Sequence, residues 1–522
     1  MSEFLGGRRP RVIGMATAAV ICLVYLVLRP PSEDFASGHF RAGLAARGAY
    51  VWNNLWFGGH PLPGYGIVSP LVGATVGVVP LAVVSVLVAT FCFVLLVERW
   101  VENGKLSVDP TVGVVLFACG CGVNLWGGRL TFGPAIMLGT AALLAVQRDR
   151  RVLAVLAAAA CGLSSPLGAL SLVVVLTALW FAGEARRSTL VITAVGAVVP
   201  IGVLIAAFPE SGWFPFTGGS LLLLLLSLAV IGWCGWRMPV VRYLVLVYGV
   251  VAIASFLVRS PLGGNVVRLG WLVAGPIAAL TLRSRRKLLV PVIVAAALVW
   301  NGSYIAMAFS PADRSADAGY YESLADFLDT STHVQRVEVV PTETFGQADV
   351  LALRTNGIAR GWETQLDREL NPELYTGELD AATYQRWLHA NSVSLVALPL
   401  GAVRPTSQDE VAVIRSHPAY LRLVWSNADW QTYEVVDATP LADRGATVVD
   451  VEPESLVIDA PRSGWTTVKY RYTDLYQVES GAACINASPD GWIQMLVRSP
   501  GRITLAIDVT AGALLQDPTT CT

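Results

Sequence analysis

The sequence predicts a polytopic α-helical membrane protein of about 11 transmembrane helices, with a C-terminal extracytoplasmic α/β domain and a small β-sandwich. Three observations predict it. Mean hydropathy is +0.56, with 54% hydrophobic and 14% charged residues, far from the composition of an ordinary soluble domain. Apolar runs near the ~20 residues that cross a bilayer core recur through the first 308 positions. Acid is unevenly placed: nine of the 38 Asp and Glu fall in residues 1–308 and 29 in the tail, so a cationic part precedes an anionic one. The expected divisions are 1–308 (membrane), 309–439 (α/β) and 440–522 (sandwich). An acidic tail argues against nucleic acid as a partner.

The expected spans are 12–29, 76–97, 109–126, 131–147, 152–164, 166–183, 189–208, 220–236, 243–258, 267–282 and 288–308. The cluster Arg8-Arg9-Pro10-Arg11 heads an apolar run with no small-residue cleavage site before Arg29-Pro30-Pro31, so it reads as an uncleaved first span. A cytoplasmic N-terminus puts 16 of the 22 Lys and Arg of this part in inside segments, as short cytoplasmic loops favour. An odd count then places the tail outside. The location expected is the cytoplasmic (inner) membrane, multi-pass, with an extracytoplasmic C-terminal domain and membrane lipids as neighbours. The run 152–183 is about 48 Å long as one helix, too long for one crossing. Breaking it at Ser164-Ser165-Pro166 keeps Arg186 and Arg187 inside; a Pro kink in one tilted span would instead move the tail to the cytoplasm.

Cysteine usage agrees with this division. Cys22, Cys92, Cys119, Cys121, Cys161 and Cys234 lie in expected spans, where a thiol behaves as a small apolar group. Cys484 and Cys521 stand alone in the tail. In an oxidising exterior they would form a disulfide; otherwise they are two unrelated thiols.

Candidate chemistry lies on the outer loops. Glu33 and Asp34 follow the first span directly, where a carboxylate is costly unless solvated or paired. The first loop continues as an amphipathic helix near 35–50, with Phe35, Phe40, Leu44 and Val51 on one side and His39, Arg41 and Arg47 elsewhere. Trp52, Trp56 and His60 follow among Gly turns. The Trp rings are either interfacial anchors or a platform on which a sugar stacks. Later outer loops add Arg129, Glu210, and Arg259, Asn265 and Arg268. Each Arg is either a headgroup snorkeller or a two-pronged phosphate ligand. Three cations and an acidic pair fit glycosyl transfer from a lipid phosphate, where a base deprotonates the acceptor and cations stabilise the departing phosphate.

This pattern resembles the GT-C superfamily of polytopic glycosyltransferases, which use polyprenyl-phosphate-linked sugars. The likeness lies in the acidic motif after span one, the amphipathic helix in that loop and the external C-terminal domain. The segments Gly128-Arg129-Leu130-Thr131-Phe132, Ser164-Ser165-Pro166-Leu167-Gly168, Pro261–Arg268 and Ala359–Asp367 resemble uncharacterised actinobacterial members of this type. The scarcity of lysine (Lys105, Lys287 and Lys469) fits a GC-rich genome. The resemblance implies Asp34 as catalytic base with Glu33 as its partner or substitute. It also implies a polyprenyl-phosphate-linked sugar as donor and a glycan or glycolipid as acceptor. A second acidic motif in a later outer loop is absent from the sequence, so no metal or only a weakly held divalent one is expected.

In the tail, Tyr320–Asp329 and Ala381–Ala390 read as helices, and Val334–Val340 and Leu395–Leu398 as strands. Arg360 and Trp362 head its most polar-aromatic cluster, which either binds substrate or begins a helix over a buried Trp. From about 440, Leu456–Ile458, Thr466–Tyr472, Trp492–Val497 and Ile503–Ile507 read as sandwich strands between Pro, Gly and Asp turns. No Walker loop, dinucleotide fingerprint, His-Glu-x-x-His or Ser-His-Asp elbow occurs, and His39, His60, His333, His389 and His417 are scattered. The reading is a membrane glycosyltransferase of the outer face. The alternatives are a non-catalytic envelope-assembly protein and a lipid or solute transporter. The transporter would want ionisable residues in mid-span or inverted repeats, and neither is visible.

Overall fold

The computed structural model describes residues 9–106, 108–281, 314–330, 336–355, 357–510 and 520–521. Two units divide the chain: Met1–Ala42 with Pro63–Pro311, and Gly43–Leu62 with Ala312–Thr522. The expected span 288–308 lies outside the described residues.

The first unit is helical. Helices α1 (Arg9–Leu28) and α2 (Phe35–Ala46, whose last turn passes into the second unit) are followed by α3 (Val68–Val76) and α4 (Val78–Glu102). Then come α5 (Thr111–Trp126), α6 (Phe132–Gln147), α7 (Arg151–Ser164), α8 (Pro166–Ala182) and α9 (Arg187–Ala207). The series closes with α10 (Gly218–Gly235), α11 (Pro239–Leu257) and α12 (Val267–Thr281). Among the described residues, six helical stretches are long and apolar enough to cross a membrane (α1, α4, α9, α10, α11 and Gly263–Thr281, which ends in α12), and α5 to α8 are shorter apolar helices. Outward-facing Val203, Leu222, Val250 and Leu257 are exposed, as a hydrocarbon solvent permits.

Helices α7 and α8 form a hairpin. Ser165 is extended between them, and the missing amide of Pro166 falls at the first turn of α8, where it costs no hydrogen bond. The chain reverses there: a Cβ on Gly168 would lie 3.3 Å from Cys161 Sγ, a contact that one straight helix does not allow. Helix α9 closes on α7 so tightly that a Cβ on Gly162 would meet Ala197 O at 2.1 Å, the small-residue packing that membrane helices favour. Turns gather at opposite ends of the bundle. At one end Lys105 pairs with Glu184, and Arg186 with Asp149 at 3.5 Å. At the other, Ile67 N–H donates to Leu163 O and Phe214 N–H to Ser260 O.

The second unit takes its first strands from the loop after α2. The hairpin β1 (Trp52–Asn53) and β2 (His60–Pro61) is antiparallel. A mixed sheet follows in the order β3 (Arg336–Val339), β4 (Val393–Pro399), β6 (Trp430–Val435), β5 (Leu421–Ser426), with β3 and β4 parallel. Its helices are α13 (Gly319–Asp329), α14 (Gly346–Arg354), α15 (Thr364–Leu370), α16 (Ala381–Ala390) and α17 (Gln408–Arg415). Two antiparallel sheets form the rest, one of β10 (Tyr476–Ser480), β13 (Gly501–Ile507), β8 (Ser455–Ala460) and β7 (Thr447–Glu452). The other holds β11 (Ala483–Ala487), β12 (Trp492–Val497) and β9 (Gly464–Arg471). Cys484 and Cys521 are joined by a disulfide.

The loop segment 43–62 was expected to lie with the membrane module. Instead, the structure builds it into this second unit. Glu454 accepts hydrogen bonds from Val51 N–H (2.6 Å) and Trp52 N–H (3.2 Å), and Tyr476 donates to Asn54 Oδ1 at 2.7 Å. Trp56 Nε1 donates to Ala348 O at 2.8 Å, and Arg471 N–H to Gly58 O at 2.7 Å. The segment therefore joins the α/β part to the sandwich part.

A buried ion cluster sits within this unit. Arg360 meets Glu338 at 2.6 Å, Glu410 at 2.5 Å and Asp367 at 3.6 Å. Burial pushes the Glu338 carboxyl up against the pull of Arg360. Removing the shared guanidinium strands buried carboxylates, at a cost of about 3–5 kcal/mol. Arg360→Met is therefore expected to lower the denaturation midpoint followed by tryptophan fluorescence. Arg502→Met, which breaks an exposed pair with Asp459, should leave the midpoint nearly unchanged. Equal effects would contradict this assignment.

Candidate functional site

The site is built in the helical unit from three separate turns. The first span ends at Leu28, and the chain turns through Pro30, Pro31 and Ser32 into α2, leaving Glu33 and Asp34 at the head of that helix. The turn between α5 and α6 is held against this head. Gly128 has φ +66°, and a Cβ there would lie 2.2 Å from Ser32 Oγ and 2.6 Å from Phe35 N. Only glycine suits both the backbone and the approach. That contact delivers the next residue, Arg129, to Asp34. The turn before α12 delivers Arg268 to the same carboxylate.

Asp34 Oδ2 is 3.4 Å from Arg129 Nε and 3.4 Å from Arg268 Nη2. Asp34 and Arg268 keep 18% and 17% of their side-chain surface, whereas Arg129 keeps 1%. The interior of the site thus supplies a fixed cation and its rim a more accessible one. Arg129 is further oriented by Asn124, to whose Oδ1 it donates at 3.3 Å, and by the Trp271 ring 4.8 Å away. Both contacts are to the same carboxylate oxygen, so the two cations converge on one side of Asp34.

A second layer lies beside this one. Arg41 is buried and stacks over the Tyr65 ring at 4.2 Å. Burial raises the Tyr65 phenol to about 12, with Arg268, Arg41, Asp34 and Glu210 all close enough to act on it. Burial likewise pushes the Glu210 carboxyl up to about 7, against the pull of Arg41.

The structure thus brings together Asp34, Arg129 and Arg268, with Glu33 beside them, and couples Glu210 to Arg41. Arg41, Tyr65 and Trp271 were not among the expected site residues. Arg41 was expected to face away from the apolar side of its helix, but it is buried. Its signal was present: Asp34 and Arg41 are seven residues apart, two helical turns. Other expected site residues fall elsewhere. His39 is exposed and stacked on Phe35, with ring centroids 5.6 Å apart. Arg259 lies over the Trp213 ring at 5.1 Å, and Asn265 sits half-buried in a short turn at 263–266.

Five expected binding residues lie in the second unit. Trp52 and Trp56 are buried, and so offer no open stacking platform. His60 is buried against Trp56, with Nε2 3.0 Å from Asn53 Nδ2 and Nδ1 3.3 Å from Glu363 Oε2. His60 and Glu363 are thus a buried close pair within this unit. Arg360 is committed to its three carboxylates, while Trp362 is half-buried just before α15. No family model matches the chain, and no curated protein matches it.

Gly128→Ala tests how the site is assembled. Gly104 also has positive φ (+69°), but a Cβ there would meet nothing within 4 Å. Gly104→Ala therefore measures backbone strain alone. Gly128→Ala should lower the thermal midpoint further, since strain above ~1 kcal/mol is joined by collision with Ser32 and Phe35. Equal shifts would mean that the turn does not depend on the close approach.

Proposed function

We propose that the protein is a membrane glycosyltransferase that moves a sugar from a polyprenyl-phosphate donor to a cell-envelope glycan or glycolipid. It would act on the outer face of the cytoplasmic membrane. The observation that carries this reading is the Asp34 carboxylate held between Arg129 and Arg268. The Asp34 carboxylate takes the proton of the acceptor hydroxyl as that hydroxyl oxygen bonds to the anomeric carbon. The bond from that carbon to the donor phosphate oxygen breaks, and the phosphate leaves with the electron pair. Arg268, at the rim, and Arg129, behind it, neutralise the charge that develops. Glu33 flanks the base, and Glu210 is a further carboxyl near neutrality. No step here is assigned to a metal.

Two further observations support the outer location. A disulfide between Cys484 and Cys521 fits an oxidising compartment. Residues 43–62 and 312–522 belong to one unit, so the intervening chain leaves and returns on one side of a bilayer. An even number of crossings does this, and the 11-span reading supplies ten after the first helix. Basic turns at the opposite end of the bundle are then cytoplasmic.

The test is the envelope glycan and lipid-linked sugar profile of a deletion strain complemented with wild type, Asp34→Asn or Arg268→Gln, at matched membrane protein levels. Wild type should restore the product. Asp34→Asn should lower its formation by about 10²–10⁴, the usual worth of a general base, with the unextended acceptor accumulating. Full complementation by Asp34→Asn would overturn the catalytic assignment.

A further inference from the structure

A second feature of the helical unit has its charged end away from the Asp34 turn. A cavity of about 460 Å³ lies among α4, α5, α6, α8, α11 and α12. That volume is within the range of sites for small organic ligands. Phe93, Phe117, Leu143, Leu172, Val175 and Ile277 are representative of its walls. It extends along α6 from Phe132 to Gln147, the full 16 residues, roughly 24 Å at 1.5 Å per residue.

The cavity reaches the turns at one end of the bundle, where its lining becomes charged. Lys105 there is paired with Glu184, and Arg186 with Asp149. Arg99 lines the same end and has no ion pair among the described residues. Gln147 is beside it: Nε2 donates to Leu96 O at 3.0 Å, while Oε1 is buried with no hydrogen-bond partner. Among the described residues, this end thus holds a cation outside any ion pair and an acceptor in want of a donor. A long apolar sleeve with that cap is complementary to an anionic lipid whose headgroup carries a hydroxyl. Basic pockets between membrane helices bind such headgroups.

We propose that this cavity is a binding site for an anionic glycerophospholipid, its acyl chain along α6 and its phosphate at Arg99. The site does not rest on the glycosyltransferase reading; its charged end lies at the opposite end of the bundle from Asp34, while its apolar sleeve runs to Phe132 and Leu269, close in sequence to Arg129 and Arg268.

The test uses the full-length protein purified in detergent, with native mass spectrometry after adding phosphatidylglycerol or phosphatidylcholine. Wild type should retain one phosphatidylglycerol at least tenfold more tightly than phosphatidylcholine. Arg99→Gln, at an exposed position, should remove that preference, and Leu143→Trp, which fills the sleeve, should lower retention of both lipids at least tenfold. If Leu143→Trp fails to fold, Val175→Trp replaces it. Equal retention of the two lipids by wild type would overturn the proposal. So would retention of phosphatidylglycerol that neither Arg99→Gln nor the filling variant alters.

Discussion

The segment Gly43–Leu62 is built into the C-terminal unit, and the rest of the chain has to accommodate it. Its peptide groups and side chains are held by partners some 290 to 420 positions away, among them Ala348, Glu454 and Tyr476. Trp56 is fully buried there, so withdrawing the segment would expose one of the largest side chains in the core. Both flanks of the intervening helices are tied by this one insertion. It also leaves only the first part of the loop, Pro30 to Ala42, for the helical unit, and that part holds Asp34 and Arg41.

The Asp34 site has a structural as well as a chemical consequence. A guanidinium as buried as that of Arg129 costs several kcal/mol unless it is paired and hydrogen-bonded. Asp34, Asn124 and Trp271 supply those partners, so the site is an ordered constellation before any ligand arrives. Preorganisation of this kind is what an anion leaving from a lipid would require, because no reorganisation is needed as charge develops. Arg268, more exposed, is the less confined of the two cations.

The membrane character and the alternation of turns are legible in the sequence because they are local: apolar length, Arg and Lys in short loops, and Pro166 after two serines. Asp34, Arg129 and Arg268 stand out for a related reason, since charge is scarce in that half of the chain and each sits at a helix end. What the sequence hides is pairing over distance. Nothing near Trp52, Trp56 or His60 records that their partners lie beyond residue 340, and so they read as a membrane-surface loop. Three sandwich strands were also missed. β7 and β10 edge one sheet and β11 edges the other, and two of them, Val-Val-Asp-Val-Glu and Tyr-Gln-Val-Glu-Ser, carry the charges by which edges resist aggregation. Arg360 misled for a different reason, since a polar cluster in sequence does not say whether its charges face a ligand or one another.

The most direct measurement is a cryo-electron microscopy structure of the full chain with a non-hydrolysable polyprenyl-phosphate sugar analogue. The account predicts phosphate density within hydrogen-bonding distance of Arg268, backed by Arg129, with the sugar next to Asp34. Phosphate density away from these three residues, under conditions where the analogue is bound, would contradict it.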